Sequence, residues 1–156
     1  MVPQFPELQS NARKVAEFHR AIGKQYPSFP AVPDAAELAF RLTLLQEEVA
    51  EVQEAAAALS ARLPGAEVGE VFPLAHELVD LLYVAYGALE ALGVDPDLAF
   101  AEIHRANMHK ATGPRRADGK QLKPEGWQPA DLEALLGLGR VGLKSEAGEP
   151  NETLGR

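Results

Sequence analysis

Residues Asp34 to Leu63 read DAAELAFRLTLLQEEVAEVQEAAAALSARL. Apolar residues recur there at intervals of three and four rather than two. Leu38, Leu42, Leu45, Val49, Val52, Ala56, Leu59 and Leu63 therefore share one face of a helix that advances about 100° per residue. Asp34 with Glu37 three positions on resembles a capping box at its start, and Pro64-Gly65 stops it. At 1.5 Å rise per residue the predicted helix is roughly 45 Å long. Phe40 and Leu44 begin a neighbouring stripe, which continues as Glu47, Glu48 and Glu51. Carboxylates thus stand where a second packed face calls for apolar side chains.

Helical spacing extends to both sides. A first helix is predicted near Gln9 to Lys24, with Ala12, Val15, Phe18 and Ile22 on one face, and Pro27, Pro30 and Pro33 then force an extended link. A third helix runs from Phe72 to Leu92, with Pro73 in its first turn and Gly93 as its stop. Asp95 caps a fourth, which Pro96 opens and which reaches Lys110. Residues 113–128 hold Gly113, Pro114, Gly119, Pro124 and Gly126 and read as loop, followed by a short helix from Pro129 to Leu136. No segment alternates with period two. The fold class is therefore all-α, a bundle of four to five helices in one domain over residues 1–138, with a flexible tail at 139–156. Two long amphipathic helices bury only part of their faces within one subunit, so dimerisation or a higher homo-oligomer is expected to complete the core.

Composition narrows the class further. At 46% hydrophobic and 24% charged residues, the 156-residue chain is ordinary globular protein rather than disordered. No apolar run approaches 18 residues and no basic-then-apolar leader opens the sequence, so neither a membrane span nor a secretory signal is expected, and a cytoplasmic location is. The absence of cysteine removes disulfides, thiolate zinc sites and iron–sulfur clusters. Fifteen Lys and Arg against 23 Asp and Glu leave a net charge of −8, a poor basis for binding nucleic acid. The charge is unevenly spread. From Leu42 to His104, Arg62 alone faces twelve carboxylates; from Arg105 to Lys123, six basic residues face one acid, Asp118. An acidic middle followed by a basic stretch suits a metal ion and the phosphates that accompany it.

The third helix repeats the anomaly of the second. Leu74, Leu78, Leu81, Leu82, Ala85, Leu89 and Leu92 make its core face; Glu77 lies at the edge in line with Val84 and Ala88, and Asp80 projects beside it. Glu48 with Glu51, and Glu77 with Asp80, are i,i+3 pairs, and antiparallel packing of the two helices would gather all four. Two carboxylates 5 Å apart repel by roughly 3 kcal/mol at an effective dielectric near 20. Such a cluster either shares protons or is neutralised by a divalent cation, and all-oxygen ligation favours Mg²⁺ or Mn²⁺. Glu54 lies further round the helix, toward solvent. His76-Glu77-Leu78-Val79-Asp80 lacks the second histidine of a zinc-protease motif, no histidine follows a Glu by three as a di-iron bundle requires, and there is no phosphate-binding P-loop. His19 and His104 read as packing or surface residues, and Trp127 as a loop anchor.

With E-E-x-x-E on one helix and E-x-x-D about thirty residues on, the chain resembles the all-α nucleoside triphosphate pyrophosphohydrolases, the MazG-like group that includes dimeric dUTPases and phosphoribosyl-ATP pyrophosphohydrolases. Asn107-Met108-His109-Lys110, Asp118-Gly119-Lys120 and Lys123-Pro124-Glu125-Gly126-Trp127 with Pro129 are similar to a segment common in these proteins, so that the likeness covers roughly residues 10 to 135. Ala130 and His109 depart from that pattern. The resemblance implies Mg²⁺-dependent attack of water on a nucleoside triphosphate, giving the monophosphate and pyrophosphate. By position it implies Glu48, Glu51, Glu77 and Asp80 as metal ligands. Glu47 would ligate a further metal or act as general base, the role favoured here. Asn107 and Lys110 would hold the nucleotide, and Lys120 or Lys123 would meet phosphate oxygens. The compact build is most similar to the dUTPase-like members, which implies dUTP as substrate; phosphoribosyl-ATP and a non-catalytic metal- or nucleotide-binding helical dimer are the alternatives.

Overall fold

The computed structural model describes residues 9–141, so residues 142–156 of the predicted tail lie outside the described residues. Five α-helices follow one another: α1 (Asn11–Ala21), α2 (Ala35–Ser60), α3 (Val71–Ala91), α4 (Pro96–Ala111) and α5 (Leu132–Val141), with a 3-10 turn at Val68–Glu70 before α3. Among the described residues there is no strand, only an isolated bridge between Arg115 and Gln121. None of the helices is long and apolar enough to cross a membrane. The all-α reading is therefore correct. The chain divides after Asp97 into two compact units.

In the first unit the helix ends follow local chemistry. Ser10 caps α1 by accepting from Arg13 N–H, and Asp34 Oδ1 caps α2 by accepting from Glu37 N–H at 2.8 Å. The Glu37 carboxylate does not return to the backbone as a capping box would have it; it accepts instead from Tyr26 Oη at 2.9 Å and Arg41 Nε at 2.8 Å. The reciprocal box lies elsewhere, at Glu67 and Glu70 before α3. Helix α2 ends at Ser60, three residues short of its predicted end. Helix α3 closes on Gly93, whose φ of 66° lets Val94 N–H and Gly93 N–H reach back to the Leu89 and Glu90 carbonyls.

Helices α2 and α3 run antiparallel. Arg62 Nε meets Glu70 Oε1 at 2.6 Å near one end, Gly87 lies against Arg41, and Ala31 N–H donates to the Leu92 carbonyl at the other end. The seam between them follows the predicted core stripes only in part. On α2 it is marked by buried Arg41 and half-buried Leu45, Glu48, Val52 and Leu59; on α3 by half-buried Glu77, Leu81, Val84 and Ala88 and by buried Gly87 and Ala91. Leu38, Leu42 and Val49 of the predicted stripe remain 42–50% exposed, as do Leu78 at 44% and Leu82 at 57% on α3. The apolar arc of each helix is wider than one neighbour covers, and the intrachain seam takes the edge that carries the carboxylates.

Helix α1 lies on α3, with Val15 buried and Phe18 set edge-on to Tyr83 at 5.8 Å between centroids. A buried polar network joins these elements. His19 Nδ1 lies 2.5 Å from Glu90 Oε2, while its Nε2 faces Arg41 Nη1 at 3.4 Å, which assigns the imidazole proton to Nδ1. Arg41 also donates to Glu37 and to Tyr26 Oη. Burial pushes the Glu37 carboxyl up, but the hydrogen bonds from Tyr26 and Arg41 outweigh it and hold it below the ordinary value. A Cβ at Gly87 would stand 2.9 Å from Arg41 Nη1 and 3.0 Å from His19 Cε1, so a larger residue there would displace this network.

In the second unit, Ala99 and Ala106 of α4 are buried, and Trp127 Nε1 donates to the Ala106 carbonyl at 2.9 Å, anchoring the loop as expected. Glu102 pairs with Arg105 and accepts from Asp131 N–H at 3.0 Å, and these bonds draw its carboxyl down to about 2. Asp131 Oδ1 caps α5 through Ala134 N–H.

Gly93 combines a left-handed φ with close approach, since a Cβ there would sit 1.9 Å from the Phe29 carbonyl oxygen. Gly93→Ala is expected to lower stability by at least about 2 kcal/mol; a chemical denaturation midpoint equal to that of the parent would refute this reading of the α3 terminus.

Candidate metal centre

Glu48 enters the seam between Leu45 and Val52, one turn to either side, and is half-buried with them. Helix periodicity places Glu51 one turn on, and the antiparallel partner brings Glu77 opposite. One carboxylate oxygen from each of Glu48, Glu51 and Glu77 lies within 4.8 Å of the other two. A second group of three, bounded by the same distance, comprises His76, Glu77 and Asp80, so Glu77 belongs to both. Asp80 Oδ2 is 3.0 Å from His76 Nε2. The four predicted ligands thus lie together as two overlapping groups rather than one, with Asp80 turned toward His76. Glu47 is exposed beside them, and Glu54 is exposed as expected.

The electrostatics of this cluster are unfavourable without a counter-charge. Glu48 Oε2 is buried and has no hydrogen-bond partner. Burial first, then repulsion from Glu51, Asp80, Glu77 and Glu47, pushes the Glu48 carboxyl above its ordinary value. Burial and a hydrogen bond to Glu51 likewise raise Glu77, while His76 pulls it the other way. Among the described residues no Lys or Arg forms an ion pair with Glu47, Glu48, Glu51, Glu77 or Asp80; the two arginines of α2 and its end, Arg41 and Arg62, are engaged by Glu37 and Glu70. An unpartnered buried carboxylate oxygen beside two further carboxylates fits a hard divalent cation with oxygen ligands, of the Mg²⁺ or Mn²⁺ type.

Sequence reasoning overlooked His76 at the cluster and the buried Arg41–Glu37 network further along α2. His76 was set aside with the zinc motif, although its i,i+4 spacing to Asp80 was the signal for a pair. Arg41 and Glu37 were missed as a buried network; the clue was a lone basic residue two helical turns before Glu48 on the same side of the helix. The remaining predicted residues belong to the second unit. There Asn107 is exposed and Lys110 half-buried on α4, Lys120 N–H donates to Asp118, and the Lys123 ammonium lies 4.1 Å from the centre of the Trp127 ring.

The family model for phosphoribosyl-ATP pyrophosphohydrolase matches residues 15–107, which takes in both carboxylate-bearing helices. No curated protein matches the chain.

Glu48 and Glu77 hold protons more tightly folded than unfolded, so their contribution to stability is full below the ordinary carboxylate range and is lost as pH rises through their raised values. In the presence of a chelator, Glu48→Gln is expected to melt above the parent at pH 7 to 8, with the gap closing as pH falls toward about 4. Added Mg²⁺ should raise the parent's melting temperature more than the variant's. Thermal melts across that range test this; a gap independent of pH would show that repulsion at Glu48 is not what limits stability.

Proposed function

The chain belongs to the phosphoribosyl-ATP pyrophosphohydrolase family, and from that premise we propose that it hydrolyses the triphosphate of phosphoribosyl-ATP at the α–β linkage in a Mg²⁺-dependent reaction, releasing pyrophosphate. The observation that carries the reading is the buried, unpartnered Glu48 oxygen beside Glu51 and Glu77 on the matched helices. Glu48, Glu51, Glu77 and Asp80 would hold the ion, with Mn²⁺ as a substitute. Bound there, Mg²⁺ supplies charge neutralisation of the phosphates and acidifies a coordinated water. Glu47, exposed next to the cluster, takes the proton of the attacking water, whose oxygen bonds to the α-phosphorus as the bond to the bridging oxygen of the leaving pyrophosphate breaks. Half-buried Leu45 and Val52 flank Glu48, and the burial of its Oε2 strengthens the charge interactions of that oxygen.

The family match favours phosphoribosyl-ATP over dUTP, the substrate first implied by the compact build. dUTP stays the second reading, from the resemblance of the compact build to the dUTPase-like members. The proposal does not rest on the roles implied for Asn107, Lys110, Lys120 and Lys123. A homodimer is also proposed, its core formed where Leu38, Leu42 and Val49 of α2 and Leu78 and Leu82 of α3 are left exposed within one chain.

Pyrophosphate release by the purified protein, measured with Mg²⁺ against phosphoribosyl-ATP, dUTP and the common nucleoside triphosphates, tests the assignment. Turnover of phosphoribosyl-ATP above the rest supports it; preference for dUTP transfers it to the second reading. Orthophosphate release, or binding without hydrolysis, overturns both. Glu48→Ala and Asp80→Ala are each expected to lower turnover at least about a hundredfold with helicity unchanged, and near-normal activity in either would remove that residue from the centre.

A further inference from the structure

His76 is one helical turn before Asp80, and its Nε2 lies 3.0 Å from Asp80 Oδ2. Their side chains are 73% and 43% exposed, and a pair so open to solvent contributes little to folding stability. Its effect on the position of Asp80 is larger. Glu48, Glu51 and Glu77 cluster beside Asp80, and repulsion favours rotamers that carry its carboxylate away from them. Among the described residues His76 is the one ion-pair partner of Asp80, and the pairing fixes its carboxylate on the side of Glu77, with which both residues form a group of three.

We propose that His76 is a positioning residue of the metal centre, which grips Asp80 Oδ2 and leaves Oδ1 as the oxygen presented to the ion. This rests on the reading of the cluster as a Mg²⁺ site. While Nε2 donates to Asp80 it has no lone pair for a cation, so the pairing excludes ligation through that nitrogen, and ligation through Nδ1 is the outcome that the test separates from positioning. Carboxylates that bind metals are ordinarily held by such outer partners, and losing one typically weakens metal affinity ten- to a hundredfold.

Mn²⁺ binding measured by the loss of the free-ion electron paramagnetic resonance signal, alongside turnover as a function of Mg²⁺, tests the role in the full-length protein. His76→Ala is expected to weaken Mn²⁺ binding about tenfold or more and to raise the Mg²⁺ concentration for half-maximal activity by a similar factor, with kcat at saturating Mg²⁺ within about twofold of the parent. His76→Gln, whose amide nitrogen occupies the place of Nε2, should recover most of the affinity. Unchanged Mn²⁺ affinity in His76→Ala, with the parent binding normally, overturns the positioning role and leaves the metal site intact. Gln no better than Ala also overturns it, because the imidazole would then act as a ligand. A parent protein that binds no Mn²⁺ brings down the metal site itself and this inference with it.

Discussion

Glu48 carries a carboxylate into the seam between α2 and α3 and leaves one oxygen there with no partner. A buried acceptor in that state costs on the order of 1–3 kcal/mol, and more when charged. Three neighbouring carboxylates and Glu47 deepen the penalty. Nothing in the local backbone forces it: Leu45 and Val52 mark an ordinary helix face, and a leucine at 48 would continue the packing. A bound cation would offset this penalty, and that is the physical basis of the proposed metal site.

The same seam holds a contrasting case. Arg41 is buried two helical turns from Glu48, but Glu37, Tyr26 and His19 surround its guanidinium, and Gly87 is small enough to admit it. A buried charge with a full set of partners locks elements together, here α1, α2, α3 and the link between the first two. A buried charge without partners marks a place for something else. Buried Arg41 and half-buried Glu48 thus differ in their partners, the first fully engaged and the second with one oxygen that no hydrogen bond satisfies.

That division explains what the sequence made legible. Helices, caps and the Gly93 stop follow from local rules, and the acidic i,i+3 pairs announce themselves as polar residues on a stripe that should be apolar. The rotation of each helix about its axis is not local. On α2 an apolar arc from Leu38 through Val49 is wide enough to offer several packing edges, and periodicity does not say which edge α3 takes. Choosing the edge with Arg41, Leu45 and Glu48 left Leu38, Leu42 and Val49 outward and brought Glu48 part of the way in. Networks such as His19–Glu90–Arg41 were hidden for a related reason, since their members are separated by up to 71 residues and meet only once the helices are in place.

In the proposed reaction, bond cleavage and substrate choice make different demands on the chain. The cluster needs only two helices in antiparallel register, and the family match covers both. A cation in that seam can engage any triphosphate, because phosphate oxygens are the same on every nucleotide. Discrimination between phosphoribosyl-ATP and a deoxynucleotide needs polar groups matched to the sugar and base, and the carboxylates supply none once they are turned to metal. Membership of the family therefore bears more strongly on the bond that is broken than on the nucleotide that carries it.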